Sequence, residues 1–488
     1  MRMQTGSVCS FLLGLAGWAV GMIFTTVARA GVPPERAPLN EAFLQYAEKL
    51  DGGGDRGLSQ AGYYLGYIPA PVDFSDLQQR DTQSGGGASL PKVYDLRSRK
   101  RLTPVRDQGD CGSCWAFASF ASLESWLLRP SSPERWNFSE EDLNHGHGFD
   151  PIDCDGGNYL MAAAYLSRWA GPVRERDVPY PYLDSATPGV RVVKHVQKVV
   201  FHPNRASVTD NEAIKLAIRN RGAVFCSFEF DDEYYNSNTH GYWFNGKSAG
   251  NHAVALVGWD DRFPRRGFNP VGGAYPEGDG AFIVRNSWGR DWGEGGYFYI
   301  SYYDASLANF VSFVGARPTT ILTRVYDYDP LGWVRSVGWG NETAWFANIF
   351  QASTTASLIK GVSFYTRQPN CPYVIYLYRD VKAGKPRSGV LVSKVKGTMP
   401  TAGYHTVRLS PAASVTPGKR FSAVVKLTTP DYGFPVAVEE PIVGYSSAAK
   451  AAEGQSFMSQ DGKVWWDVTT WDGYQSTNVC LKAFGASK

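Results

Sequence analysis

Hydrophobic positions along the chain follow different periods in different stretches. After Ser113 the spacing is helical: Phe117, Phe120, Leu123, Leu127 and Leu128 recur every three or four residues, which predicts a helix from Cys114 to Leu128. Further on the period shortens. Residues 221–230 alternate as a strand, and 252–259, 281–285 and 297–303 are apolar runs of strand length. Beyond residue 316, short strand-like runs at 373–378, 405–409 and 421–427 are separated by turns such as Pro417-Gly418, a spacing that predicts an antiparallel β-sandwich. At the other end, residues 8–27 are mostly apolar, follow Arg2 and precede Ala28-Arg29-Ala30; residues 1–30 read as a secretory signal peptide cut before Gly31. No other stretch is apolar enough to span a membrane. Residues 31–90 are loop-rich, with glycine triplets at 52–54 and 85–87 and the aromatic stretch 63–72 between them.

Length and charge narrow the picture. A chain of 488 residues is long enough for several domains. Its formal charge of +3 includes two arginines of the leader, so the exported chain is near neutral, which excludes nucleic acid as a main partner. Cys9 leaves with the leader. Of the remaining cysteines, Cys226 sits mid-strand and reads as a buried, inert thiol, while Cys371 and Cys480 fall early and late in the sandwich as a candidate pair.

The chemistry starts at Gln108-Gly-Asp-Cys-Gly-Ser-Cys-Trp-Ala-Phe117. A thiol at a helix start feels unpaired N–H groups and the positive end of the dipole, and both favour thiolate. Cys-x-x-Cys is also half of a zinc site or a redox motif, but the chain holds no second ligand pair and no small βαβ surround. Two distant stretches decide. Asn251-His252 opens an apolar strand, and Asn286-Ser-Trp-Gly289 precedes Trp292-Gly-Glu-Gly-Gly-Tyr297. Cys114, His252 and Asn286 stand 138 and 34 residues apart in that order. On these motifs the chain resembles the papain-like cysteine peptidases, which implies an α+β two-lobe fold with a helical and a β lobe over 91–316, beginning at Pro91-Lys-Val-Tyr-Asp-Leu-Arg97.

The resemblance implies the roles. Cys114 is the expected nucleophile, His252 the acid and base, and Asn286 the residue that orients the imidazole. Gln108 and the Cys114 N–H are the expected oxyanion donors, and Trp288 the shield of the His252–Asn286 bond. Cys114 and His252 would form a thiolate–imidazolium pair. Cys154, in Asp-Cys-Asp-Gly-Gly157, is expected to pair with Cys111. Gly156 and Gly157 would offer backbone to an extended substrate, and Asn158, Tyr159 and Ala253 would line the pocket for the second residue before the cut. By the same resemblance, 31–90 is a pro-segment that blocks the cleft.

Residues 317–488 resemble the lectin-like domain that follows the peptidase domain in some bacterial surface cysteine peptidases, through Tyr326-Asp-Tyr-Asp-Pro-Leu-Gly-Trp333, Val362-Ser-Phe-Tyr365 and Ser456-Phe-Met-Ser-Gln-Asp-Gly462. The expected partners are a protein or peptide substrate and a surface protein or glycan; the expected state is a monomer, without cofactor or metal. Of the tryptophans Trp333, Trp339, Trp465 and Trp466, core packing is expected for most, and sugar stacking for any left exposed. His145 and His147, in a glycine loop, read as solvated, and Asp461 and Asp467 are too few for a calcium site. Two rivals use the same motifs: a surface adhesin on an inactive peptidase scaffold, and a ligase or transpeptidase in which an amine replaces water.

Overall fold

The computed structural model describes residues 31–51, 57–77, 89–181, 189–355 and 357–487. The leader with Cys9 and both glycine triplets lie outside the described residues.

The helix Cys114–Leu127 is the centre of the peptidase region, and Leu128 is its C-cap. Its sequence is apolar nearly all round, so it is buried on every side and not along one face. The polar residues on it are accounted for. Ser119 donates to the Trp115 carbonyl at 2.7 Å, Ser122 and Ser125 accept from Phe313 and Ala223 N–H, and Glu124 meets Arg106 at 2.8 Å and the Phe138 N–H at 2.9 Å. Helices Glu140–Gly146 and Tyr159–Ser167 pack beside it and complete a helical lobe.

The second lobe is β-rich. Strand His252–Asp260 lies between Val224–Phe228 and Ala281–Arg285, and Ala281–Arg285 pairs with Tyr297–Ser301. The register sets Ala255 opposite Arg285, so His252 at one strand start and Asn286 just past the other strand end come to the same edge.

The C-terminal region is a sandwich. A 6-stranded sheet containing Thr343–Gln351, Cys371–Arg379 and Arg420–Thr428 faces strands Ser357–Thr366, Ala402–Val415 and Leu481–Ser487 across a core of Phe346, Phe364, Ile375, Val425 and Leu481. The second sheet does not end at the domain limit. Ala402–His405 pairs with Lys198–Phe201, so among the described residues one 13-stranded sheet runs through both regions. Cys371 and Cys480 form no disulfide: Cys371 donates to the Gln368 carbonyl at 3.0 Å, and the buried Cys480 belongs to the core shared with the peptidase region. Trp333 is core, while Trp339, Trp465 and Trp466 are half-buried, so none of the four is a fully exposed sugar platform.

Residues 31–77 cross both regions. Glu35–Arg36 adds an edge strand to Arg335–Gly338 of the sandwich. Trp471, Trp339 and Tyr474 donate to the carbonyls of Gly31, Val32 and Pro34, and Arg36 pairs with Glu440 at 2.8 Å. After the helix Glu41–Asp51, residues 57–77 return along the peptidase cleft and end on Arg367, which holds the Asp76 carboxylate and the Asp73 carbonyl.

Candidate active site

Cys114 is the first residue of the central helix and is fully buried; its Sγ accepts from the Ala253 N–H at 3.3 Å. That bond ties the thiol to the residue after His252. His252 Nε2 and Asn286 Oδ1 are 2.8 Å apart. The same oxygen accepts from the Ser287 N–H at 2.9 Å, so Nε2 carries the proton and Nδ1 is the bare nitrogen. Nδ1 is buried without a hydrogen-bond partner. Trp288 stacks on the imidazole, 4.6 Å between centroids and 20° between planes, and covers the His252–Asn286 bond.

Gln108 is 1% exposed and held at both ends. Its N–H donates to the Ser287 carbonyl at 2.7 Å, its carbonyl accepts from the Tyr180 hydroxyl at 2.6 Å, and its Oε1 accepts from Ser287 Oγ at 2.6 Å. This fixes Nε2 toward the cleft, where it donates to the Cys111 carbonyl at 2.7 Å and the Tyr64 carbonyl at 3.0 Å. A disulfide joins Cys111 to Cys154, 43 residues apart, and steadies the loop between Gln108 and Cys114.

The cleft is filled by the chain itself. Trp288 Nε1 also donates to the Tyr64 carbonyl, at 3.2 Å, and Tyr63 stacks on the indole with centroids 4.6 Å apart. The N–H groups of Gly66 and Tyr67 point to the Asn251 carbonyl at 3.3 and 3.0 Å. Gly157 donates to the Gly66 carbonyl and accepts from the Ile68 N–H, both at 2.9 Å, in a parallel bridge with Tyr67. The fit leaves no room for side chains: a Cβ on Gly66 would stand 2.0 Å from the Gly112 carbonyl oxygen, and one on Gly156 2.9 Å from that of Gly66.

Covering the cleft reverses the expected charge state. Burial pushes the Cys114 thiol up to about 12, against the backbone N–H groups of Ala253, Trp115 and Gly66 that favour thiolate. Burial likewise holds His252 down at about 4, against its bond to Asn286. In the covered form the pair is thiol and neutral imidazole, not thiolate and imidazolium.

The remaining residues divide. Gly156, Gly157 and Ala253 border the filled cleft. Tyr159 is buried against Phe225 and Phe201 in the cluster that holds Tyr67. Asn158 has a different job: its Oδ1 caps the helix Tyr159–Ser167 by accepting from Leu160 and Met161 N–H at 3.0 and 3.2 Å. His147 is not solvated. It is 3% exposed, accepts from the Phe149 N–H at 2.9 Å and meets Trp115 edge to face, while His145 lies between Glu141 and Asp153. No cluster of three or more metal-ligating side chains occurs among the described residues.

Residues 90–313 match the family described as papain family cysteine protease, and 325–485 match the lectin like domain family. Residues 90–313 are a papain-family peptidase domain. Among curated relatives, a cysteine protease of Blomia tropicalis is 30% identical over 46% of this chain and 66% of its own length. Cysteine proteinase 1 of Entamoeba histolytica is 32% identical over 42% and 62%. The chain thus spans less than two thirds of either relative. The two-part architecture, papain-family domain followed by lectin-like domain, matches the crystal structure of the cysteine protease and lectin-like domains of Cwp84, a surface layer associated protein of Clostridium difficile. That match has a TM-score of 0.76 at 26% identity and covers 93% of this chain and 98% of that one. A structure of Cwp84 after propeptide cleavage matches with a TM-score of 0.70 at 27% identity, over 81% of this chain and 99% of that one.

Sequence reasoning did not find the parts played by Tyr64, Gly66 and Tyr67, or the second donor on Trp288. The first two act through backbone atoms, which residue type does not mark.

Proposed function

We propose that the protein is an exported cysteine endopeptidase, made latent by residues 31–77 and active once they leave the cleft. The observation that carries this reading is that Gln108 Nε2 and Trp288 Nε1 meet on the Tyr64 carbonyl while Gly66 and Tyr67 bond the Asn251 carbonyl beside His252, whose other neighbour, Ala253, donates to Cys114 Sγ. The Tyr64 carbonyl oxygen takes Gln108 Nε2, one of the two expected oxyanion donors, together with Trp288 Nε1. The coverage by the two Cwp84 structures differs by 12% of this chain, from 93% to 81%, which fits a removable segment the length of residues 31–90.

The chemistry runs through the protein's own groups. With the cleft open, water and substrate dipoles replace the apolar cover, and the proton passes from Cys114 Sγ to His252 Nδ1. The thiolate attacks the scissile carbonyl carbon. The oxyanion is held by Gln108 Nε2 and the Cys114 N–H, with Trp288 Nε1 on the same side. His252 gives its proton to the leaving amine, leaving a thioester on Cys114. It then takes a proton from water, whose oxygen attacks the thioester and frees the acid product. Asn286 holds the ring plane throughout. The lectin-like region attaches the enzyme to a surface protein or glycan. The adhesin reading lacks support, since it has no use for Gln108 locked at both ends beside Cys114.

The test is labelling of Cys114 by an active-site-directed epoxide. Full-length protein should label slowly, protein processed by limited proteolysis quickly, and Cys114→Ala not at all. Absence of labelling in folded, processed protein would return the adhesin reading to first place.

A further inference from the structure

A cavity of about 560 Å³ lies beside the loop that carries Gln108, and none of residues 57–77 lines it. Its size falls in the range of small-ligand sites. Pro104, Arg106 and Asp107 form one wall, and Phe117 of the central helix and Tyr180 form the next. The Tyr180 hydroxyl donates to the Gln108 carbonyl at 2.6 Å, so this second wall backs the loop. A third wall comes from two stretches that run side by side. The Ser139 N–H donates to the Val173 carbonyl at 3.2 Å, and the Glu175 N–H to the Asn137 carbonyl at 3.0 Å. That pairing brings the side chains of Glu140 and Glu175 to the same cavity.

Each of these carboxylates uses one oxygen. Glu140 is 1% exposed, and its Oε1 takes Arg106, whose other terminal nitrogen bonds Glu124 at 2.8 Å. Glu175 Oε1 accepts from the Tyr180 N–H at 2.9 Å. The second oxygen of each, Oε2, is buried and has no hydrogen-bond partner among the described residues. A buried carboxylate oxygen without a donor is a costly arrangement, and a bound donor relieves it. Burial raises both carboxyls above their ordinary range, against Arg106 at both and the Tyr180 N–H at Glu175, so the cavity lacks positive charge. The fitting partner is a cation with several donors. A metal ion does not suit, since no three ligating side chains gather there among the described residues. An ammonium is a point charge, whereas a guanidinium is a planar fork whose N–H groups reach two carboxylates at once. Arg106 already shows that geometry, joining Glu124 to Glu140. The rings of Phe117 and Tyr180, 5.0 Å apart, supply apolar surface beside which such a fork packs.

We propose that this cavity is a guanidinium-binding site, in which Glu140 Oε2 and Glu175 Oε2 accept from the two edges of an arginine side chain or of a free alkylguanidine. The mouth is open to such a ligand, because Arg135 and Asn137, which line it, are exposed. The site uses none of the catalytic groups, so it stands apart from the peptidase reading. An occupant would nevertheless rest on the Tyr180 wall that backs Gln108.

The experiment is calorimetric titration of the full chain at low ionic strength, with the catalytic cleft filled by residues 57–77 and so closed to the probes. The probes are Nα-acetyl-arginine amide and Nα-acetyl-citrulline amide, which has the same shape without the charge. The arginine probe should bind saturably at one site, ~10-fold or more tighter than the citrulline probe. Glu175→Gln, which leaves Arg106 and its partners in place, should weaken the arginine probe by ~10-fold, and Glu140→Gln at least as much. Ethylguanidinium separates the two sources: affinity equal to that of the arginine probe points to a free alkylguanidine, and weaker binding to an arginine on a peptide chain. Equal binding of the two amides, an unchanged affinity in Glu175→Gln, or no saturable binding would overturn the proposal. So would binding seen only in Arg135→Ala, because the chain's own arginine would then be the occupant.

Discussion

The Tyr445 hydroxyl, from the lectin-like region, donates to Asn158 Oδ1 at 3.2 Å, the oxygen that also caps the helix rising from the cleft wall. The contact does not stand alone. The Asp150 N–H donates to the Tyr445 carbonyl at 2.9 Å, and the Asp150 carboxylate accepts from Ser447 N–H and Oγ. The Tyr445 ring meets Phe43 of the N-terminal segment at 5.3 Å and Phe149 of the peptidase region at 5.0 Å. One aromatic side chain therefore joins the three parts of the chain. Tyr445→Ala should cost about 3 kcal/mol by emptying a fully buried site, and Tyr445→Phe about 1 kcal/mol by removing one bond. Denaturant titration checks both. If Tyr445→Ala were neutral, the lectin-like region would be an appended module and not part of the cleft's support.

Gly66 is where latency is most easily broken without touching the catalytic groups. A methyl group there meets Gly112 backbone, which cannot rotate away. Overpacking of this kind costs about 2 kcal/mol, or roughly thirtyfold in the opening equilibrium of the segment. Gly66→Ala should raise the epoxide labelling rate of the full chain by that factor and leave the processed enzyme unchanged. An unaltered rate would mean the segment does not limit access to Cys114.

What could be read from sequence and what could not divide along a physical line. Cys114, His252, Asn286 and Gln108 stand out in the sequence because each lies in a motif next to a turn or strand end that the pattern also marks, and the fold brings His252 to Asn286 and Gln108 to the same cleft. The helix was legible for the same reason, although its burial on every side exceeds what the spacing of Phe117, Phe120 and Leu123 implies. The blocking segment was visible only as an aromatic stretch, since Tyr64 works through its carbonyl and Gly66 through the absence of a side chain. The pairing of Ala402–His405 with Lys198–Phe201 joins residues some two hundred positions apart, and no local period records it. The capping role of Asn158 is not legible from its type alone, because helix capping and pocket lining ask for the same short polar side chain at a turn.

Acid should loosen the segment. His252 is held at about 4 in the covered cleft, below its ordinary 6.5, so the folded cover favours the neutral ring. The test needs Cys114→Ala, where no thiol supplies the ring's proton: there that contribution is complete above pH 6.5 and is lost as pH falls toward 4, because the opened form then binds the extra proton from solvent. The cause is burial, and the groups facing the ring are the neutral Asn286, Trp288 and Phe228. Amide exchange protection at Tyr67 and Ile68, whose N–H groups hold the segment to Asn251 and Gly157, should fall by up to ~10-fold per pH unit across that window, after correction for intrinsic rates. Protection that rises or stays level from pH 6.5 to 4 would show that His252 does not govern the cover.

Gln108 and Asn286 stand on opposite sides of the distinction between latency and chemistry. Gln108 Nε2 holds the Tyr64 carbonyl in the covered form and is the expected oxyanion donor in the open one, so one amide serves both states. Asn286 touches His252 and the Ser287 N–H but no atom of the blocking segment among its hydrogen bonds. Gln108→Ala should therefore lower kcat of the processed enzyme by ~100-fold, the loss of one oxyanion donor, while speeding release of the segment from the full chain. Asn286→Ala should also slow turnover, by roughly 100-fold through a misoriented imidazole, yet leave the segment's exchange protection as it was. Two variants with similar kinetic defects and opposite effects on latency would separate the two duties of the site. If both loosened the segment alike, the Tyr64 contact would be incidental, and the cover would depend on the packing of Trp288 and Tyr63.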